Sequence, residues 1–473
     1  MPRLRILAAG SNAHGQLANE TFDDSHVFRP CVFSTENIST PKHELPGDHV
    51  LSIVCGANHT LLLVELEHPS EQSHQPARQL WGCGDGLKGQ LGPNHLRGVS
   101  QSCSPVFWRL DQTILGAAGM DDEKYTISAV AAAWESTFIV LRQKHVLLRN
   151  SRDLVIAMGN NDHGDLGVGL TPTELKYSQE PLRVALEEML DAVYPEVLSG
   201  FRITDLVAGV HHVIATVQLF LQSGEEDVVV GWGASRHEQL GSFSSQSRLT
   251  LHKATRLTPI TLYPQILPIF QRRPGHDASD PVIACALGSH HSVFLHYSGR
   301  TTGLGSMKKE QLPGLTDKPG TVKEVRCTWN GTYLMLQSGD DPTSNHSQWE
   351  ILATGARDKG QLGRDFMASP THGLGTVQFP FKTNTRRLVK VACGSEHVVV
   401  LLARIGELDS VRVEDGHEVW GWGWNEHGNL GLGHTIDAQL PLVIWPVSGA
   451  EQGGSHLHSI WAGCGTSWIV EKL

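Results

Sequence analysis

Eight Cys and 26 His are the residues best equipped to hold a metal ion or attack a substrate in this 473-residue chain, so their spacing comes first. The cysteines stand at 31, 55, 83, 103, 285, 327, 393 and 464, with no Cys-x-x-Cys pair. That excludes a zinc ribbon and a thioredoxin-like motif and leaves reduced thiols. Cys55, Cys327 and Cys393 fall at small-residue turns and read as packed and unreactive. His59, His212, His291 and His397 recur just before apolar runs, with His211 and His290 adjacent to two of them. They occupy one equivalent position in similar but separate segments, so a turn hydrogen bond explains them better than metal ligation does. The Gly-rich stretches contain no Gly-x-x-x-x-Gly-Lys-Ser/Thr phosphate loop and open no βαβ unit. No Ser-His-Asp set or carboxylate pair stands out. The expectation is a non-enzyme with no cofactor and no metal.

Charge and composition point the same way. With 38 basic and 49 acidic residues the net charge is -11, against the positive surplus that displaces counterions from nucleic acid, so no direct nucleic-acid contact is expected. The N-terminal apolar run is too short for a signal peptide, and no 18-residue apolar stretch occurs. A protein without membrane contact is expected, cytoplasmic and also nuclear. Gly is enriched, at 49 of 473, and accompanies 12 Trp, which favours turn-rich β structure.

What positions these residues is a repeat. GSNAHGQL, GDGLKGQL, GNNDHGDL, GASRHEQL, GSMKKEQL, GARDKGQL and GWNEHGNL begin at Gly10, Gly84, Gly159, Gly233, Gly305, Gly355 and Gly423. Each places Leu seven residues on, at Leu17, Leu91, Leu166, Leu240, Leu312, Leu362 and Leu430. A second element alternates with the first: a small-residue turn and an apolar strand, as in VCGANHTLLLV, AAAWESTFIVL and ACGSEHVVVLL. Gly tolerates positive φ and the branched and aromatic runs suit a pleated sheet, so each unit is a small antiparallel sheet. No such sheet buries both faces alone. Seven stacked radially give an all-β, seven-bladed β-propeller spanning 1–473 as one domain, its two chain ends meeting to close the ring. Copies four and five depart most, with Glu238 and Glu310 in place of the second Gly.

Insertions decorate the ring. PLRVALEEMLDAVYP sets Leu182, Leu186, Met189, Leu190 and Val193 on one stripe between Pro181 and Pro195, which predicts one short helix in blade three. Stretches near 66–79, 95–123, 171–200, 242–280, 338–348 and 404–417 read as loop insertions.

If HTLLLV from His59 pairs with the strand leading to Gly84 as a hairpin, both turn families emerge on one face. The repeats then act as an internal control. After the small-turn pair the copies carry Ala57, Trp134, Val210, Ser289, Trp329, Ser395 and Gly465; after the first motif Gly they carry Ser11, Asp85, Asn160, Ala234, Ser306, Ala356 and Trp424. Three Trp occupy positions otherwise mostly small or polar. A turn Trp either folds inward to plug the channel or anchors a partner, and three together favour anchoring.

The pattern G-x-N-x-x-G-Q-L-G followed by V-A-x-G-x-x-H resembles the repeat of the regulator-of-chromosome-condensation family, and the resemblance covers essentially the whole chain. It implies a seven-bladed propeller. The last blade, VWGWGWNEHGNLG to AGCGTSWIV, and the turns AAAWESTFIV and CTWNGTYLML are similar to the fungal alpha-tubulin suppressor, or killer-toxin-insensitivity, branch of that family. This implies a heterodimer with a small zinc- and iron-binding electron carrier of diphthamide synthesis. It also implies support of Elongator-dependent wobble-uridine modification of transfer RNA. Trp134, Glu135, Trp329, Asn330, Trp424, Glu426 and His427 are then expected on the docking face. The family also implies an alternative, guanine-nucleotide exchange on a Ran-type small GTPase. A ubiquitin-ligase targeting domain is a third possibility, but the repeats use up the chain and leave no catalytic extension.

Overall fold

A computed structural model describes residues 3–34, 42–46, 49–66, 77–93, 103–195, 197–242, 260–267, 270, 280–312, 322–338, 348–365, 373–408, 411–446 and 456–473. Seven antiparallel sheets form the ring. Blade 1 comprises His49–Cys55, His59–Leu66, Ala77–Asp85 and Cys103–Arg109, from the channel outward. Blade 2 is Tyr125–Ala132, Ser136–Gln143, Leu154–Asn160 and Tyr177–Arg183; blade 3 is Leu198–Ala208, His212–Leu221, Gly224–Ala234 and Ile260–Ile266. Blade 4 shows three strands among the described residues, Val282–Leu287, His291–His296 and Thr301–Gly305. Blade 5 is Val322–Thr328, Gly331–Ser338, Gln348–Gly355 and the two-residue Gly375–Thr376; blade 6 is Arg386–Cys393, His397–Leu408, Val411–Gly423 and Ala438–Trp445.

Blade 7 joins the two chain ends, as the sequence led us to expect. His456–Gly463 and Thr466–Lys472 are completed by Arg3–Gly10 and Ser25–Pro30, with Leu4 opposite Lys472 and Gly10 opposite Thr466. The core is not central. It lies in layers between neighbouring blades, as where Leu61, Leu63, Ile139, Leu141 and Met158 fill the space between blades 1 and 2.

The motif chemistry is legible in this frame. A Cβ on Gly84 would stand 2.3 Å from the carbonyl oxygen of Asn58, and φ there is +93°. The next residue, Asp85, donates its backbone N–H to that same carbonyl at 2.7 Å. The equivalent bond occurs in all seven blades, including Ser11 to Gly465 and Trp424 to Glu396, and it ties the two turn families together. The motif Asn serves the loop behind. Asn12 accepts from the Leu17 N–H and donates to the Thr21 and Asp23 carbonyls; Asn161 and Asn425 repeat the pattern.

The second motif Gly is set by close packing on the outer strand of the next blade. At Gly89 a Cβ would lie 2.3 Å from the Ser178 carbonyl oxygen of blade 2, and at Gly360 2.4 Å from that of Ala438 in blade 6. Glu238 and Glu310 keep the left-handed backbone, both with φ +61°. They precede blade 4, which has no outer strand among the described residues, and blade 5, whose outer strand is two residues long. The Glu310 side chain fits because the strand that would meet it is only two residues long, and its carboxylate accepts from the Gly373 N–H at 3.3 Å.

Several insertions differ from the expectation. Helix α2, Leu186–Val193, starts after Pro181, which instead sits with Leu182 in the outer strand of blade 2. An outer edge tolerates the missing N–H. The helix links blade 2 to blade 3, burying Leu186 and Leu190 while Val193 stays half exposed. A second helix, α1 (Asp111–Ala117), occupies the matching link between blades 1 and 2, within the predicted 95–123 loop, and buries Ile114 and Leu115. Cys103–Arg109 and Ile260–Ile266 are outer strands rather than loop. The 404–417 stretch continues a hairpin, with Ile405 opposite Glu414 and Leu408 opposite Val411. The remaining loop expectations, at 67–76, 94–102, 243–259, 271–279 and 339–347, lie outside the described residues.

Candidate functional site: the turn face and its channel mouth

Pairing of His59 with Gly84, of Ser136 with Gly159 and of His397 with Gly423 brings both turn families to one end of the ring. There the turns between the first and second strands of each blade surround the channel. They are laced by backbone bonds from blade to blade: Ala57 N–H to the Trp134 carbonyl, Trp134 to Val210, Ser289 to Trp329, Trp329 to Ser395 and Ser395 to Gly463. The strand register makes Cys464, not Gly465, the seventh counterpart of Ala57, because Thr466 opposite Gly10 matches His59 opposite Gly84.

The three Trp share this end but divide into two settings. Trp134 of blade 2 and Trp329 of blade 5 reach across the channel, their ring centroids 5.6 Å apart at 47°. Both are half-buried and line, with Gly56, Ala133, Gly288, Thr328 and Gly463, a space of about 240 Å³. For these two the plug geometry holds. Trp424 lies instead against His427, at 5.2 Å and 86°, and near Gly465. Its indole N–H donates to Glu426 Oε2 at 3.1 Å, and His427 Nδ1 lies 2.6 Å from Asp24 Oδ2.

The other expected residues fall around these two centres. Glu135 accepts from Asn160 Nδ2 at 2.8 Å. Asn330 donates to Glu396 Oε1 at 2.6 Å, and Gln361 donates to the other Glu396 oxygen at 3.2 Å. Burial raises the Glu396 carboxyl above its ordinary range, while these two amide donors oppose that. Glu396 was not singled out from sequence; it shares with Glu135 a carboxylate in the turn position where the other copies hold Asn58, His211, His290, Asn330 and Gly465.

The recurring histidines are bonds between blades. His59 Nε2 lies 3.1 Å from Thr137 Oγ1, His212 Nε2 3.1 Å from Ser292 Oγ, His291 Nε2 3.2 Å from Thr332 Oγ1 and His397 Nε2 3.0 Å from Ser467 Oγ. Thr137 donates its own proton to the Gln90 carbonyl, so it must accept from His59, which sets the Nε2–H tautomer. Each ring also lies on a turn Gly: a Cβ on Gly56 would stand 2.1 Å from His59 Cε1. Where the sequence carries Trp, the His is gone: Ala133-Trp134-Glu135-Ser136 and Thr328-Trp329-Asn330-Gly331.

Further out, the face gathers two clusters of metal-binding types, His163 with Asp165 and His211, and His14 with Asp85 and Cys103. The sequence reading passed over both, because their members come from different repeats. The channel cysteines Cys55, Cys327 and Cys393 are half-buried, and desolvation pushes Cys327 up to about 12 and Cys55 and Cys393 upward as well.

Among the described residues no helix is long and apolar enough to cross a membrane. Residues 416–468 match the regulator of chromosome condensation (RCC1) repeat. The chain is similar to the ultraviolet-B receptor UVR8 of Arabidopsis thaliana, 22% identical over 90% of this chain and 77% of that one. It is also similar to the secretion-regulating guanine nucleotide exchange factor of Bos taurus, 26% identical over 93% and 78%. Prp20p of Saccharomyces cerevisiae superposes with a TM-score of 0.63 at 16% identity, covering 99% of this chain and 91% of that one. Ring count and closure agree with that superposition: the chain is a seven-bladed β-propeller, and its residues 416–468 match the RCC1 repeat.

Proposed function

We propose that the propeller is a non-catalytic scaffold whose turn face docks a small zinc- and iron-binding electron carrier, and that through this heterodimer it supports diphthamide synthesis and, indirectly, Elongator-dependent modification of wobble uridines. The observation that carries the docking face is the Trp134–Trp329 pair: two half-buried indoles from blades 2 and 5, 5.6 Å apart, capping the channel. Large aromatics held rigidly in a backbone-bonded rim suit the centre of a protein interface. Trp424, Glu426 and His427 add a second contact area at the closing blade. The choice of partner rests on the similarity of the last blade and of both Trp turns to the alpha-tubulin suppressor branch.

The test is co-purification of the small metalloprotein with the full chain and with a Trp134→Ala, Trp329→Ala, Trp424→Ala variant, circular dichroism reporting the fold. Loss of the partner by a folded variant is expected. Undiminished capture would overturn the site. A second reading, nucleotide exchange on a Ran-type GTPase, draws on the named activity of the bovine relative. Faster release of labelled guanine nucleotide on adding this chain would establish it in place of the first.

A further inference from the structure

We propose that His163, Asp165 and His211 form a binding site for one divalent transition-metal ion of the Zn²⁺ type at the junction of blades 2 and 3, beside the Trp pair. One donor atom from each of the three lies within 4.8 Å of the others. Asp165 Oδ1 is 3.3 Å from His211 Nδ1, and Oδ2 is 4.0 Å from His163 Nδ1. Two imidazoles and a carboxylate are the donor set that borderline ions take, and three protein ligands leave a fourth position for water or for a partner's side chain. The two rings stack at 4.1 Å and 26°. His163 Nδ1 is buried and makes no hydrogen bond.

The repeats show that the scaffold does not need this charge. At the Asp165 position the other six copies carry Gln16, Gln90, Gln239, Gln311, Gln361 and Asn429. In five of them the Gln side-chain oxygen accepts the backbone N–H two residues earlier. Asp165 performs that task with Oδ2, accepting from His163 N–H at 2.9 Å. Its other oxygen is thereby turned towards His211. The backbone is fixed from behind, where Trp232 Nε1–H donates to the Asp165 carbonyl at 2.9 Å. The next junction is a built-in control. His237 and His290 again meet, at 4.4 Å, but Gln239 stands where the carboxylate would be.

The experiment uses the full chain, stripped of metal with a chelator and titrated with Zn²⁺ by calorimetry and with Co²⁺ by visible absorption. One ion per chain and a tetrahedral Co²⁺ spectrum are expected. Asp165→Gln, the scaffold's own residue at this position, and His211→Asn should each weaken binding at least about tenfold, while His237→Asn leaves it unchanged. Melting curves of each variant without metal confirm folding. No binding by the wild-type chain, or binding that survives Asp165→Gln and disappears in Cys103→Ser, overturns the proposal. The measurement needs no partner protein, so its outcome is independent of the docking reading.

Discussion

His59 reaches across a blade boundary to place Nε2 3.1 Å from Thr137 Oγ1, while the hydroxyl passes its own proton to the Gln90 carbonyl. Four such bonds stitch the ring, and burial keeps each imidazole neutral. Desolvation lowers His59 and His212 to about 3 and His291 and His397 to about 4, against an ordinary 6.5. Between those values and 6.5 the unfolded chain binds more protons than the folded one, so stability rises with pH across the window and is lost on acidification. Each His contributes a slope of roughly 1.4 kcal/mol per pH unit there. Urea unfolding of His212→Asn at pH 5, 6 and 7 should show a pH dependence shallower by about that amount. An unchanged slope would show that His212 does not enter the fold neutral.

The two central indoles should be energetically coupled. A double-mutant cycle on Trp134→Ala and Trp329→Ala is expected to give an interaction of about 0.5–1.5 kcal/mol in unfolding free energy. Trp424→Ala, whose ring rests on His427, should add to either without coupling. Strict additivity of the first pair would place their side chains apart in solution.

Backbone strain at the fourth repeat gives a prediction with opposite signs at two equivalent sites. Glu238 is exposed and holds φ +61°, so Glu238→Gly should stabilise the chain by about 1 kcal/mol. Gly89→Glu, at the same motif position, drives a Cβ to 2.3 Å from the Ser178 carbonyl and should cost about 3 kcal/mol or more. Thermal or urea unfolding of the two variants reads both.

The channel thiols should be silent. Burial raises Cys55, Cys285, Cys327 and Cys393, the middle two to about 12, and thiolate is the reactive form. Native protein at pH 8 should leave these four unlabelled by a thiol reagent over the time in which urea-unfolded chain reacts fully, as read by peptide mass. Rapid native labelling of Cys327 would contradict the burial.

Blade number, ring closure and the common face of the turns were legible because each repeat carries its own Gly, Leu and small-residue turn, seven times over. That the recurring histidines make hydrogen bonds was legible for the same reason, but the expected partner was within the turn, whereas the hydroxyl lies on the next blade. Helix α1 and the strand Ile260–Ile266 were not, because outer elements pack on one neighbour only and carry a weak apolar pattern. Pro181 misled as a helix start because an edge strand accepts Pro equally well. That the Trp turns share one end of the ring was legible, but the meeting of Trp134 with Trp329 depends on the ring's diameter, which no local pattern encodes. Likewise Asp165 and His211 come together only through the junction of two repeats.

The strand Arg3–Gly10 has a consequence for biogenesis. Leu4, Ile6 and Ala8 are all completely buried there, yet the strand's partner Thr466–Lys472 lies more than 450 residues further along the chain and is translated long after it. Until that partner emerges, the apolar segment has only its short pairing with Ser25–Pro30, and a chaperone able to shield a short extended stretch would guard its open edge.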